Sequence, residues 1–358
     1  MTDMTDKPSK TTRLTSPQKR KTTPLTRVAA AVVGVGMIFG LSACDTPVPQ
    51  TDQKVSGSQS STSVPNITEA QEKKIETRIL ESLSAADKAK SAENLSDTVE
   101  GPELAIRTSQ LKVVKSTGKA DSKMEIPRSI RQTVLPVATG WPRSVYTITT
   151  TTQDQQSERL LVLNQASARS NYKLWGLVRL FSGISLPKFP IPTIGTKIGT
   201  LNDSNLAASP EKALTMYADV LQNGSKSKSA SQFKDDQFRD TLTDLTESVE
   251  KGVQANKGSQ SQTFTADVNN AKIMRTADGG DLVVAQIDSV WQRSAGEGRE
   301  SQPASDAEKA LYGKKTYTSK MKVTYVNVVA LYIPSASSKA KIQAVGAERQ
   351  PTKVEAVK

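Results

Sequence analysis

The first apolar feature of the chain is an uncharged run from Val28 to Leu41, set behind a polar segment rich in Lys and Arg. Its 14 residues fall short of the roughly 20 that a membrane-spanning helix needs. From Asp45 to Pro65 apolar positions are scarce among Gln, Ser, Thr, Pro and Gly, a composition that predicts a flexible tether. Regular periodicity starts after it. Ile75, Ile79, Leu83 and Ala86 recur at helical spacing, which predicts one apolar helix face. Thr68-Glu69-Ala70-Gln71 supplies a capping box at its start. Gly101-Pro102 restarts the chain, and Leu104, Thr108 and Leu111 suggest a second helix.

The pattern then changes to β-branched and aromatic runs: Ser144 to Thr152, Arg159 to Asn164 and Tyr172 to Phe181. Polar turns separate them, so they predict an antiparallel meander that begins after Trp141-Pro142. Ser182 to Ser209 is broken by Pro187, Pro190 and Pro192 and by glycines, and predicts a connection with little regular structure.

Helix periodicity returns at Ser209-Pro210-Glu211, a capped start with proline in the first turn. Leu214, Tyr217, Ala218 and Leu221 form its apolar face, and Asn223-Gly224 stops it. Phe238, Leu242, Leu245 and Val249 mark a further helix. Strands are expected at Lys272 to Met274, Leu282 to Trp291, Lys320 to Ile333 and Lys341 to Ala347, with a hairpin turn at Asp278-Gly279-Gly280 and a polar loop from Ser294 to Tyr312. Helix, helix, meander therefore occurs twice. Ile79 and Tyr217, Leu83 and Leu221, Leu95 and Phe233, Leu104 and Leu242, Leu111 and Val249, and Val145 and Val283 all stand 138 residues apart, the signature of an internal duplication. The expected class is α+β, with two tandem helix-plus-antiparallel-sheet domains. The boundaries are 1–43 for a leader, 44–65 for the tether, 66–181 and 209–358 for the repeats, and 182–208 for the linker.

Charge and cysteine usage change the picture at the N-terminus. Leu41-Ser42-Ala43-Cys44 closes the apolar run and contains the only cysteine in the chain. Basic flank, short apolar run and small residues follow the order of a secretory signal, and the four residues resemble the bacterial lipoprotein signal, the lipobox. In that resemblance Leu41 fills an apolar subsite, Ser42 and Ala43 let the backbone enter a peptidase, and the Cys44 thiol takes a diacylglycerol. Two acyl chains would anchor the protein stably to the outer face of a cell membrane. The chain after Cys44 keeps +7 of the formal +12 charge, so anionic head groups, an anionic wall polymer or an envelope protein are the expected partners. Nucleic acid is not expected, because basic and aromatic residues do not interleave.

With no histidine and no second cysteine, Ser-His-Asp and Cys-His catalysis, thiol redox chemistry and zinc sites with nitrogen or sulfur ligands are excluded, as are disulfides. No cofactor, metal site or catalytic residue is expected. Trp175, with Tyr172 and Arg179 nearby, could line a pocket, but a core position is the expectation for Trp175, Trp141 and Trp291. Asp235, Asp236, Asp240 and Asp244 could hold a hard cation; lacking the glycine and spacing of a calcium loop, they are expected to serve a helix start. Asp278 is expected to be a turn residue.

The helix–sheet order resembles the cystatin-like cone fold shared by ketosteroid isomerases and nuclear transport factors, a likeness of fold alone. Asn171-Tyr172-Lys173-Leu174-Trp175-Gly176, Arg275-Thr276-Ala277-Asp278-Gly279-Gly280 and Val328-Val329-Ala330-Leu331-Tyr332-Ile333-Pro334, with the lipobox, resemble segments of an uncharacterised family of actinobacterial lipoproteins. That resemblance implies export and anchoring and no activity. The expected function is a non-catalytic binding or scaffold module at the cell envelope. Two alternatives are an enzyme with a ketosteroid-isomerase-like Asp/Tyr pocket and a transporter's solute-binding lipoprotein, whose lobes would need parallel sheets.

Overall fold

The computed structural model describes residues 64–152, 157–313 and 316–357. Leu41, Ser42, Ala43 and Cys44 lie outside them. Thr68 caps α1 (Glu69–Ala89) as its capping box predicts: its Oγ1 accepts from the Gln71 amide at 3.2 Å and its own amide donates to Gln71 Oε1 at 2.8 Å. α2 (Gly101–Thr117) follows, with proline in its first turn. The meander is β3 (Arg143–Thr149), β4 (Arg159–Gln165) and β5 (Lys173–Leu180), antiparallel throughout. Strand structure starts earlier than the pattern suggested. β1 (Ile130–Val134) pairs with β3, and β2 (Pro136–Val137) lies beside it.

Residues 182–208 carry only β6 (Thr196–Lys197), which pairs in parallel with β2. Phe189 and Leu206 are nevertheless buried, so this stretch is packed onto the fold. α3 (Pro210–Asn223) and α4 (Gln237–Ala255) come next. The strands that follow are β7 (Ser259–Ala266), β8 (Lys272–Arg275), β9 (Asp281–Ser294), β10 (Lys320–Ile333) and β11 (Gln343–Val357). The expected loop from Ser294 to Tyr312 instead ends in a short helix, α5 (Asp306–Tyr312), capped by Ser305. The last strand runs ten residues beyond Ala347, because β10 offers partners as far as Lys320.

Nine strands form one antiparallel sheet in the order β1-β3-β4-β5-β11-β10-β9-β7, with β8 paired to β9. Each half of the chain contributes strands running inward from its own edge, and the last strands of the two halves meet in the middle. That junction is narrow: Gly346 pairs with Leu180 and Ala347 with Arg179. The spine of the second half is the β9–β10 ladder, paired from Asp281/Ile333 to Ser294/Lys320.

Strand alternation sorts side chains between the two faces. In the first half Val145, Leu161, Leu163 and Leu177 pack against Ile79, Leu83 and Leu111 of α1 and α2. In the second half Val283, Ala285, Ile287 and Val329 pack against Leu214, Tyr217 and Leu242 of α3 and α4. The opposite faces meet each other: Val162 and Val178 share a cluster with Met274, Val284 and Val328. The sheet therefore curls until its two halves lie back to back, and Tyr146 Oη reaches across to donate to the Lys272 carbonyl at 2.6 Å. Matching bridges close each half: Val99, after α1, pairs in parallel with Leu174, and Phe233, after α3, with Ile342.

Among the described residues no helix is long and apolar enough to cross a membrane.

Candidate functional site

The largest difference between the helices is how much each buries. Of the 19 residues of α4, only Phe238 and Leu242 are buried, against seven of the 14 in α3. Leu245 on the apolar face of α4 remains exposed. The helix is well capped, with Asp236 Oδ1 accepting from the Phe238 and Arg239 amides at 3.1 and 3.0 Å. What it lacks is close packing. A cavity of about 450 Å³ opens on one flank, lined from α4 by Gln237, Phe238, Thr241 and Leu245. Another of about 390 Å³ lies on the side toward β7.

The first cavity sits where β11 parts from β5. Its sheet side is built from β9, β10 and β11: Trp291, Tyr325 and Arg349 line it, with Leu180 and Phe181 from the end of β5 and Glu308 from α5. Cations and aromatic rings alternate here. The Arg349 guanidinium lies 3.6 Å from the Tyr325 ring centroid, Tyr325 lies 6.5 Å from Trp291, and the Arg293 guanidinium lies 5.2 Å from Trp291. Each such cation–ring contact is attractive, more so when desolvated.

Glu308 ties this group together. It is buried, forms an ion pair with Arg293, and accepts from Tyr325 Oη at 2.5 Å and from the Ala304 amide at 2.7 Å. Burial, and then the Glu308 charge, push the Tyr325 hydroxyl well above its ordinary pKa. Phenol and carboxylate are each other's partners, so neither is free to move a proton to or from a guest.

Arg349 differs from every other charged residue around the cavity. Asp121 and Lys123 approach to 4.0 Å, Arg179 is paired with Glu348 at 2.6 Å, and Glu308 with Arg293. Arg349 has only neutral acceptors, Asn327 Oδ1 at 2.9 Å and Ser289 Oγ at 3.0 Å, and its Nη2 is covered and donates to nothing. Burial pulls its pKa below the ordinary arginine value.

The positions singled out in the sequence are dispersed. Trp175 and Trp291 are buried, as expected for core rings. Trp141 is not: it is 43% exposed, covered on one face by the Arg143 guanidinium at 4.0 Å, because it stands in the bend ahead of β3 and not on a strand, with its Nε1 donating to Gln165 at 3.3 Å. Tyr172 is buried in the first half, and Arg179 reaches the cavity rim. Asp235 points into solvent while Asp236 caps α4, and no group of three or more potential metal ligands occurs among the described residues. Asp278 sits in its turn, accepting from Tyr332 Oη at 2.6 Å and from the Gly280 amide at 3.2 Å, with Gly279 at φ +82°.

Two buried Asp residues do approach a Tyr. Asp236 accepts from Tyr217 Oη at 3.0 Å while it caps α4. Asp281 is fully buried and held up to about 7 by desolvation, against the pull of Arg275 at 3.2 Å, and its charge helps raise Tyr146. None of the four lines the cavities beside α4. A separate groove runs between α1 and β1, where Glu72 and Glu76 are buried side by side. Arg128 and Arg131 line it too, so its acids are offset by nearby cations.

Arg349, Tyr325 and Glu308 were not legible as a site. They stand on three elements, and Arg349 lies in Glu348-Arg349-Gln350-Pro351, which looks like an exposed polar tail.

Comparison with known proteins gives a family without an assigned role. The family described as Domain of unknown function (DUF8094) matches residues 63–354, and the chain belongs to it. No curated protein and no solved structure matches the chain.

Proposed function

We propose that this member of the family is a non-catalytic binding module of the cell envelope, held at the outer face of a membrane by acylated Cys44 and carrying its ligand in the cavity beside α4. The observation that supports binding over catalysis is the pairing inside that cavity. Tyr325 is spent on Glu308 and Glu308 on Arg293, and neither buried Asp that stands near a Tyr, Asp236 by Tyr217 or Asp281 by Tyr146, lines it. An enzyme of the ketosteroid-isomerase type would need a free carboxylate facing the guest. A transporter's solute-binding lipoprotein is disfavoured by the antiparallel main sheet, since parallel pairing among the described residues is confined to the two-residue β2–β6 pair and isolated bridges.

The layout fits two tandem cystatin-like cones. Ile79 and Tyr217 fall on α1 and α3, Leu111 and Val249 on α2 and α4, and Val145 and Val283 on β3 and β9. The space between helices and sheet is filled by apolar side chains in each half, with Tyr217, Phe233 and Phe238 among them in the second, and the cavity lies at the margin of that second cluster. An envelope protein or an anionic wall polymer is the partner class that the basic charge favours.

Two arms test this reading in intact cells. A palmitate analogue should label the wild type and not Cys44→Ser. A photoreactive residue at position 241, on the cavity side of α4, should yield a discrete small-molecule adduct by mass spectrometry. Label retained in the serine variant removes the anchor, and an unmodified protein after irradiation removes the ligand cavity.

A further inference from the structure

The geometry points to a compact anion with an apolar body, a carboxylate or a phosphate monoester, as the ligand class of the α4 cavity, seated with its charged end on Arg349. This rests on the cavity reading above and says what the cavity prefers. Three observations carry it.

The first is charge. Every other ionised side chain lining the cavity has its opposite within 4.0 Å, whereas Arg349 has none that close and shares Glu308 with Arg293, so the group carries one positive charge in excess. The second is the choice of partners. The Arg349 Nη1 bonds go to neutral acceptors and Nη2 has none, so the guanidinium is left without an anionic hydrogen-bond partner. A carboxylate or phosphate supplies one, and guanidinium is matched to the planar or forked oxygens of these groups. The third is the wall. Leu180, Phe181, Phe238, Leu245 and Trp291 surround the charge with apolar surface. A bare inorganic ion would leave that surface wet, whereas an aryl or alkyl body would fill it. Arg349 is also pre-positioned: Asn327, Ser289 and the Tyr325 ring fix the guanidinium plane, so little freedom is lost when an anion docks.

The test is calorimetric titration of the full chain with 4-phenylbutyrate, 4-phenylbutyl phosphate, 4-phenylbutanol and inorganic phosphate. The acid or the phosphate ester should bind about ten- to a hundredfold more tightly than the alcohol, the range for one charge-assisted contact, and the better of the two identifies the head group. Arg349→Gln should reduce that ligand to the level of the alcohol, and Arg349→Lys should restore part of the preference. Thr241→Trp, placed on an exposed position of α4 that borders the cavity, should block all the organic probes. Equal binding of alcohol and acids overturns the anion inference and, if Thr241→Trp blocks both, leaves the cavity reading standing. Binding of organic probes that ignores Thr241→Trp overturns both. Affinity unchanged in Arg349→Gln, binding of inorganic phosphate alone, or binding of none of the four also defeats the inference. If Arg349→Gln does not fold, the acid-to-alcohol ratio of the wild type decides it.

Discussion

Arg179 Nε donates to Glu348 Oε2 at 2.6 Å beside the two ladder pairs, Gly346 with Leu180 and Ala347 with Arg179, that join β11 to β5. Glu348 is almost wholly buried while Arg179 is partly exposed. Removing the arginine strands a buried carboxylate, whereas removing both charges does not. Arg179→Met should therefore cost about 3–5 kcal/mol in denaturant unfolding, and the double variant with Glu348→Gln should recover much of it. Equal losses in the single and double variants would show that the pair contributes nothing at the junction.

The same junction depends on a missing side chain. A Cβ on Gly346 would lie 2.5 Å from the Arg179 carbonyl oxygen and 3.0 Å from Leu180 Cα, both backbone atoms. Gly346→Ala should thus push β11 away from β5. We expect a loss of about 2 kcal/mol or more and faster exchange of the Phe181 amide, which donates across the junction to the Val345 carbonyl, while Leu180, bonded to Glu158 on the other side, stays protected. Wild-type exchange at Phe181 would contradict the close approach.

Buried carboxyls set a pH dependence. Glu103 on α2 is held up to about 8, chiefly by desolvation and against the pull of Arg107, with Glu348 and Asp87 adding to the rise. Glu76 is held up to about 7 by burial and then by Glu72. A folded-state pKa above the unfolded one means that the native state binds more protons between the two values, so stability falls as pH rises. The contribution of Glu103 is complete below about pH 4.5 and lost by about pH 8. Glu103→Gln should flatten that decline and be more stable than wild type at pH 8, by on the order of 1 kcal/mol or more. Parallel stability–pH curves for the two proteins would refute it.

Loose packing of α4 should be visible directly. Its amides should exchange at least about tenfold faster than those of α3, since sparse burial lowers the free energy of local opening. A ligand in the cavity should slow α4 selectively. Equal protection of the two helices would mean that α4 is held by more than Phe238 and Leu242.

What could be read in advance followed local chemistry. α1 and α3 announce themselves through a cap and an apolar stripe, and β3, β4 and β5 through β-branched runs. β7 did not, because Ser-Gln-Ser-Gln-Thr is an edge strand with one side in solvent. α5 is seven residues long and is held by Glu308 reaching Arg293 and Tyr325, contacts 15 and 17 residues away that no window contains. The distal half of β11 is a strand because β10 is there to pair with it. Arg349 owes its place to register: the bulge between Ala330/Leu331, on the hairpin side of it, brings it beside Asn327. A one-residue slip would turn it to the other face. The candidate site is thus a product of tertiary placement, while the helices and the meander are properties of the local chain.

The strand that closes the sheet at its centre, β11, comes after every other described strand in the chain. Until residues beyond 342 are in place, β5 and β10 each keep an open margin able to template another molecule. A chain without the 15 residues of β11 should therefore accumulate as aggregate and not as a smaller, working protein.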